Sequence, residues 1–73
     1  MTNDEIKEAL KSKCRIKHNY REHQTAIIYH HVQAWRVTVD KDGRFISSLE
    51  LVTGGNRPTV ITARAEDCEI WRP

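Results

Sequence analysis

The chain has 73 residues, a formal net charge of +2, and a composition that is 38% hydrophobic and 30% charged. This length permits one hydrophobic core and no second domain, and the composition is typical of a globular protein rather than a disordered or fibrous one. Because no apolar run reaches the roughly 18–20 residues that cross a bilayer, and no signal-like stretch begins the chain, we expect a cytoplasmic domain without membrane contact, monomeric or a small homo-oligomer.

The first predicted element is a helix over residues 2–12. Thr2 and Glu5 have the spacing of a capping box, in which each side chain accepts a hydrogen bond from the other residue's amide. An apolar helix face follows, formed at the i, i+3 and i+4 positions by Ile6, Ala9 and Leu10. The helix has about three turns and is too short to be stable alone, so it either docks on the rest of the domain or mediates self-association.

A strand with one buried face and one basic face is predicted next. Cys14, Ile16 and His18 alternate with Arg15 and Lys17, which is the period of two that is typical of a β-strand. We expect the first three side chains to point into the protein and the two cations to point into water.

Residues 25–39 are rich in β-branched and aromatic residues, which favours extended structure. Their large apolar side chains fall mainly on odd positions, namely Ile27, Tyr29, Trp35, Val37 and Val39. The pattern predicts one long bent strand, or two strands that meet near Gln33 and Ala34. Residues 40–43 then form a turn in which Gly43 supplies a left-handed backbone, so the following strand returns as a hairpin.

The rest of the chain predicts a turn over residues 53–58, a short strand over 59–62, one helical turn over 63–67 and a final strand over 69–71. This order of elements resembles that of a small Src-homology-3-like barrel. We therefore expect a mainly-β fold, in which the N-terminal helix precedes a small five-stranded barrel over residues 14–73. Five strands curled on themselves can bury a core at this length.

Three segments, Thr25–Tyr29, Phe45–Leu51 and Val60–Ile70, resemble small barrel proteins that are carried by prophages and mobile elements of gut bacteria. The resemblance implies the Src-homology-3-like fold. Since the shared residues are core and turn positions, it implies little about function. Residues 19–24 lack the acidic, aromatic-rich loop of the peptide-binding version of that fold, so recognition of proline motifs is not expected.

Neither a metal site nor a catalytic site is predicted. Cys14 and His18 do not have the spacing of a zinc-finger pair, and the adjacent His30 and His31 are expected to point to opposite faces of a strand. A nucleophile, a base and an orienting group can be drawn from Cys14, His18 and Asp67, but nothing in their spacing selects them. We therefore expect a protein that is not an enzyme and has no cofactor.

The two cysteines, Cys14 and Cys68, offer a check on the fold. If the first and last strands pair, as they do in the barrel, the two side chains can approach closely enough for disulfide geometry to be tested. Reduced thiols are nevertheless expected in the cytoplasm, where disulfides are rare. Whether the two residues are close in space stays open.

The first functional hypothesis is a non-enzymatic protein-interaction module, or a small accessory subunit, of prophage or mobile-element origin. Trp35 and Trp71 are its candidate interface residues, because aromatic side chains are enriched at protein interfaces. An exposed apolar patch that contains either tryptophan would strengthen this hypothesis. Of Tyr29, Phe45 and the two tryptophans, three are expected to fill the core, and Trp71 is expected to be the one that is partly exposed.

The alternative hypothesis is a nucleic-acid-binding accessory protein that uses the basic stretch from Lys11 to Arg21. Its cations would contact phosphates while a tyrosine stacks on a base. This hypothesis requires that the side chains converge on one face of the folded chain. The candidate residues are Lys11, Lys13, Arg15, Lys17, Tyr20 and Arg21.

Overall fold

The computed structural model describes residues 1–73 and contains one α-helix, one 3-10 turn and six β-strands. In chain order these are α1 (Asn3–Ser12), β1 (Ile16–Tyr20), β2 (Thr25–Tyr29), β3 (His31–Val39), β4 (Phe45–Val52), β5 (Val60–Arg64), the 3-10 turn (Ala65–Asp67) and β6 (Cys68–Ile70). The strands form two antiparallel three-stranded sheets, in the orders β2-β1-β6 and β3-β4-β5. The predicted mainly-β class with a short N-terminal helix is confirmed.

The two sheets do not close into the predicted five-stranded barrel. The run that was expected to form one strand, or two strands meeting near Gln33 and Ala34, divides instead at His30, where β2 ends and β3 begins. β2 pairs only with β1, whereas β3 pairs only with β4. Farther along the chain, the 3-10 turn separates β5 from β6, so each of these strands is an edge of its own sheet.

A β-bulge at Gln33 accompanies the break at His30. The pairing of β3 with β4 shifts register just after Val32, so Gln33 has no residue opposite it. Because one extra residue reverses the alternation of side chains, Val32 and Trp35 both face the core although they are three positions apart. The break and the bulge offset each other, and for this reason Tyr29 and Trp35 both lie on the inner side, as their odd positions predict.

α1 follows the predicted capping box. The Thr2 hydroxyl accepts a hydrogen bond from the Glu5 amide at 3.2 Å, and the Glu5 carboxylate accepts one from the Thr2 amide at 2.9 Å. The helix is capped at its C-terminus by Lys13, whose backbone is left-handed with φ of 50°. Ile6 and Ala9 are fully buried and α1 packs against β3, so the apolar helix face is used within the chain. No helix of the chain combines the length and the apolar composition needed to cross a membrane.

The core is built by side chains from α1 and from both sheets. Ile6, Ile16, Leu49 and Leu51 are its largest fully buried members. β1 begins two residues later than predicted, and its inward-facing residues are Ile16 and His18, as the alternation predicts. The smaller or less completely buried members of the cluster are Ala9, Tyr29, Val32, Ala63, Ala65 and Cys68.

The predicted pairing of the first and last strands is confirmed. β1 is antiparallel to β6, with Ile16 opposite Ile70 and His18 opposite Cys68. Cys14 precedes β1, four residues before His18, so it is not the residue opposite Cys68 in the sheet. Both cysteines are free thiols.

Candidate functional site

The apolar face of the β3-β4-β5 sheet is covered over one half and exposed over the other. In the covered half, Val32, Leu49 and Leu51 are buried in the core. Toward the turn of the β3–β4 hairpin, the same face continues as a surface that we call the hairpin face, made of Val37, Val39, Phe45 and Ser47. Its three apolar side chains are 52%, 59% and 79% exposed, in the order Val37, Val39 and Phe45. The hairpin face is thus an apolar surface without an intramolecular partner.

The hairpin face is exposed because the third strand of its sheet is short. β5 pairs with β4 only from Val52 to Ser48, and the chain then turns away at Ala65. The edge of β4 beyond Ser48 is therefore unpaired, and it borders an open groove of about 500 Å³ whose lining includes Phe45 and Ala65. The end of the hairpin thus extends past the part of the sheet that the rest of the chain covers.

The turn at the end of the hairpin is fixed by its own hydrogen bonds. Asp40 Oδ1 accepts from the amides of Asp42 at 2.8 Å and Arg44 at 2.9 Å. Gly43 has φ of 79°, which confirms the predicted left-handed backbone, and its amide donates to the Asp40 carbonyl at 3.0 Å. With Lys41, these charged side chains place a polar rim beside the apolar hairpin face, an arrangement typical of protein-binding surfaces.

Of the two tryptophans predicted as interface residues, Trp35 borders the hairpin face and Trp71 lies near the start of β1. Trp35 is opposite Leu49 and packs against the core, and its indole Nε1 is buried without a hydrogen-bond partner. It shares a sheet face with the hairpin face and borders it. Trp71 is partly buried, and its amide donates to the Arg15 carbonyl at 2.9 Å. Trp71 is thus partly exposed, as expected, but Phe45, at 79% exposure, is the member of the four that lies outside the core.

Two cations of the basic stretch are paired with carboxylates from the end of the chain. Lys17 Nζ lies 3.4 Å from Glu69 Oε1, and Arg21 Nε lies 2.7 Å from Asp67 Oδ1. These pairs neutralise two of the predicted phosphate contacts. The exposed cations of the stretch that have no carboxylate partner are Lys11, Lys13 and Arg15.

Tyr20 lies on the opposite side of β1 from Lys17. Its hydroxyl shares a hydrogen bond of 2.5 Å with the hydroxyl of Tyr29, and its ring centroid is 4.2 Å from that of His18. Because successive residues alternate across a strand, Tyr20 lies on the inner side of β1 with His18, whereas Lys17 lies on the outer side. The residues predicted to bind nucleic acid therefore occupy more than one surface.

His18 and Asp67 line one open cavity of about 340 Å³, together with Tyr20, Arg21 and others. Burial lowers the pKa of His18, and the nearby Asp67 carboxylate opposes that effect. The Nδ1 atom of His18 is buried and has no hydrogen-bond partner. Cys14 does not line this cavity, so the structure brings together two members of the arrangement drawn from the sequence but not its nucleophile.

The cysteine opposite His18 in the sheet is Cys68. Its Sγ donates to the Arg64 carbonyl at 3.3 Å, and burial raises the pKa of the thiol to about 11. A thiol with this pKa stays protonated near neutral pH and is a poor nucleophile. Cys68 therefore acts as a core residue rather than as an activated thiol.

Stability is expected to fall on mild acidification because of His18. Since burial lowers its pKa in the folded chain, the unfolded chain binds more protons, and the folded state loses stability as the pH falls through about 6.5. Urea unfolding at pH 7.5, 6.5 and 5.5 measures this slope. The variant His18→Gln should have a smaller slope than the wild type, and an unchanged slope would assign the effect to other groups.

The sequence predicted that the adjacent His30 and His31 would point to opposite faces of a strand, and this prediction is wrong. Because His30 lies at the break between β2 and β3, the alternation of a regular strand does not apply to it, and the two Nδ1 atoms are 2.8 Å apart. The pKa of His31 is lowered by partial burial, and further by His30 and Lys13. No group of three or more histidine, cysteine, aspartate or glutamate side chains surrounds a common point anywhere in the chain.

Comparisons of the chain with protein-family models, with curated proteins and with solved structures gave no match. The resemblance to prophage-encoded barrel proteins therefore stays a prediction. The function is inferred from the geometry of the surfaces described above.

Proposed function

We propose that the chain is a non-enzymatic protein-interaction module, or a small accessory subunit, that binds an apolar surface of a protein partner through the hairpin face. The observation that carries this proposal is the exposure of Val37, Val39 and Phe45 on one sheet face. Removing apolar surface from water stabilises a complex by about 25 cal/mol per Å². A partner that covered the hairpin face would remove these apolar side chains from water, and the half-buried Trp35 extends the apolar surface toward the core.

The charge distribution favours a protein partner over a nucleic acid. The hairpin face carries no charged side chain, whereas affinity for nucleic acid comes mainly from cations placed on phosphates. Two cations of the basic stretch, Lys17 and Arg21, already have carboxylate partners. The alternative function, a nucleic-acid-binding accessory protein, is supported by the three cations that have none, Lys11, Lys13 and Arg15.

The proposal includes a cytoplasmic protein of prophage or mobile-element origin with a Src-homology-3-like arrangement of strands. What supports the arrangement is that a single residue, His30, separates β2 from β3. If these two strands are counted as one bent strand, the chain has five strands, which is the number that the resemblance implies. The Src-homology-3-like element order predicted from the sequence gives the same grouping.

The test compares two variants that place the same charge on opposite faces of the hairpin. Phe45→Glu puts a carboxylate on the hairpin face, and Thr38→Glu puts one on the polar outer face, opposite Ile46. Both purified variants and the wild type are used to capture proteins from a lysate of the source organism, with quantification by mass spectrometry. We expect a partner that binds the wild type and Thr38→Glu but is lost with Phe45→Glu.

Each other outcome decides between the proposals. A capture pattern that is the same for all three proteins would contradict the role of the hairpin face. A concentration-dependent dimer of the purified chain that Phe45→Glu disrupts would identify the partner as a second copy. Amide shifts on Lys11, Lys13 and Arg15 during titration with a short DNA duplex or single strand, weakening with salt, would favour the alternative function.

A further inference from the structure

The fold holds the backbone of His30 and His31 at the junction of the two sheets. The His30 amide donates to the Val52 carbonyl at 2.8 Å, and His31 is directly opposite Val52 in the β3–β4 ladder. The His30 ring lies over Gly54, where a Cβ atom would be 3.5 Å from His30 Cδ2. The backbone of the pair is therefore held by neighbouring segments, and the His30 ring lies beside Gly54.

The separation of the two Nδ1 atoms is that of two neighbouring ligands on one metal ion. Two nitrogens that each lie about 2.0 Å from one ion are about 2.8–3.3 Å apart, from right-angle to tetrahedral coordination. The nitrogens of His30 and His31 are 2.8 Å apart. The geometry points to a site for a divalent copper or nickel ion, bound by these two imidazoles, with water in the remaining positions.

The proton balance allows this coordination. In the Nδ1 to Nδ1 hydrogen bond, one ring donates its proton and the other accepts it. When the ion binds, the proton of the donating ring moves to the Nε2 atom of the same ring, so both Nδ1 lone pairs face the ion and the neutral pair releases no net proton. His30 is exposed and His31 is partly exposed, and neither belongs to the core, so the rings can turn toward a common ion without disturbing it.

The surroundings predict a site of modest affinity. The chain supplies two ligands and no third histidine, cysteine or carboxylate. Lys13 lies near His31, and Arg15 lines the small cavity beside His30, so both cations oppose a divalent ion. Their charges are exposed and are screened by salt.

The experiment titrates the folded chain with NiCl2, because Ni²⁺ does not oxidise the free thiols. Calorimetry is expected to give one bound ion per chain, and the paramagnetic ion is expected to broaden amide signals around His30, His31 and Gly54. His30→Gln and His31→Gln should each weaken binding by more than about tenfold, because each removes one of two ligands. His23→Gln, which changes an exposed histidine in the turn before β2, is the matched control and should leave the affinity unchanged.

Several results would overturn this assignment. Broadening centred on His23, on Cys14 or on the N-terminus would place the ion elsewhere, and this readout does not depend on whether a variant folds. Wild-type affinity in either His30→Gln or His31→Gln would also exclude a two-imidazole site, as would the absence of binding at millimolar Ni²⁺.

Discussion

Replacing Leu49 by alanine is expected to lower the free energy of unfolding by about 2–5 kcal/mol, which is the cost of removing a fully buried leucine side chain. Leu49 is 0% exposed and lies between Trp35 on β3 and Ala63 on β5. The whole free energy of unfolding of a 73-residue chain is about 4–11 kcal/mol. The variant should therefore be only marginally folded, and urea unfolding followed by tryptophan fluorescence measures the difference.

Phe45 supplies the control on the same face of the same strand. Phe45→Ala removes a larger apolar side chain, but one that is 79% exposed, so the expected loss is below about 0.5 kcal/mol. A loss as large as that of Leu49→Ala would show that Phe45 is covered in solution, as it would be in a dimer formed through the hairpin face. The comparison thus separates an apolar residue that stabilises the fold from one that is free to bind a partner.

Local patterns in the sequence predicted the elements whose causes are local. The capping box at Thr2 and Glu5 and the turn at Gly43 depend on residues within a few positions of each other, and both have the predicted geometry. The break at His30 could not be predicted in this way, because β-branched and aromatic residues continue on both sides of it. It depends on which strand each half of the run pairs with, β1 before the break and β4 after it.

The same limit applies to the surfaces. The basic stretch has few acidic residues near it in the sequence, because its carboxylate partners, Glu69 and Asp67, are more than forty residues farther along the chain. They come close to the basic side chains only through the pairing of β1 with β6. The exposure of Phe45 could have been predicted from its place in the sequence. It directly follows a hairpin turn, and a third strand as short as β5 does not reach the end of the hairpin.

The positions of His30 and His31 could not be predicted from the alternation of side chains along a strand. Adjacent residues point to opposite faces only if both belong to one regular strand. His30 belongs to neither β2 nor β3, and its amide is instead bound to the Val52 carbonyl. The two rings therefore meet, although their adjacent positions predicted that they would lie on opposite faces.

Deleting Arg36 is expected to destabilise the chain by at least about 2 kcal/mol, whereas deleting Gln33 is expected to cost less than about 1 kcal/mol. The turn at the end of the hairpin fixes Val39 opposite Phe45. With Arg36 removed, counting back from that pair places Trp35 opposite Ser48, on the outer face, so its contacts with the core are lost. With Gln33 removed, Trp35 stays opposite Leu49, and only the bulge and one exposed hydrogen bond to Glu50 disappear.

Both deletions shorten β3 by one residue, and each removes one partner of Glu50, the Gln33 side-chain amide at 2.9 Å or the Arg36 guanidinium at 2.7 Å. Their difference therefore reports mainly the side on which Trp35 lies. Urea unfolding gives the two free energies, and the emission maximum of Trp35, in chains that also carry Trp71→Phe, reports its exposure. A red-shifted, weakly stable chain is expected only for the deletion of Arg36. Equal losses from both deletions would mean that the bulge at Gln33 is itself required, through the bend that it gives to β3, and that the facing of Trp35 contributes little.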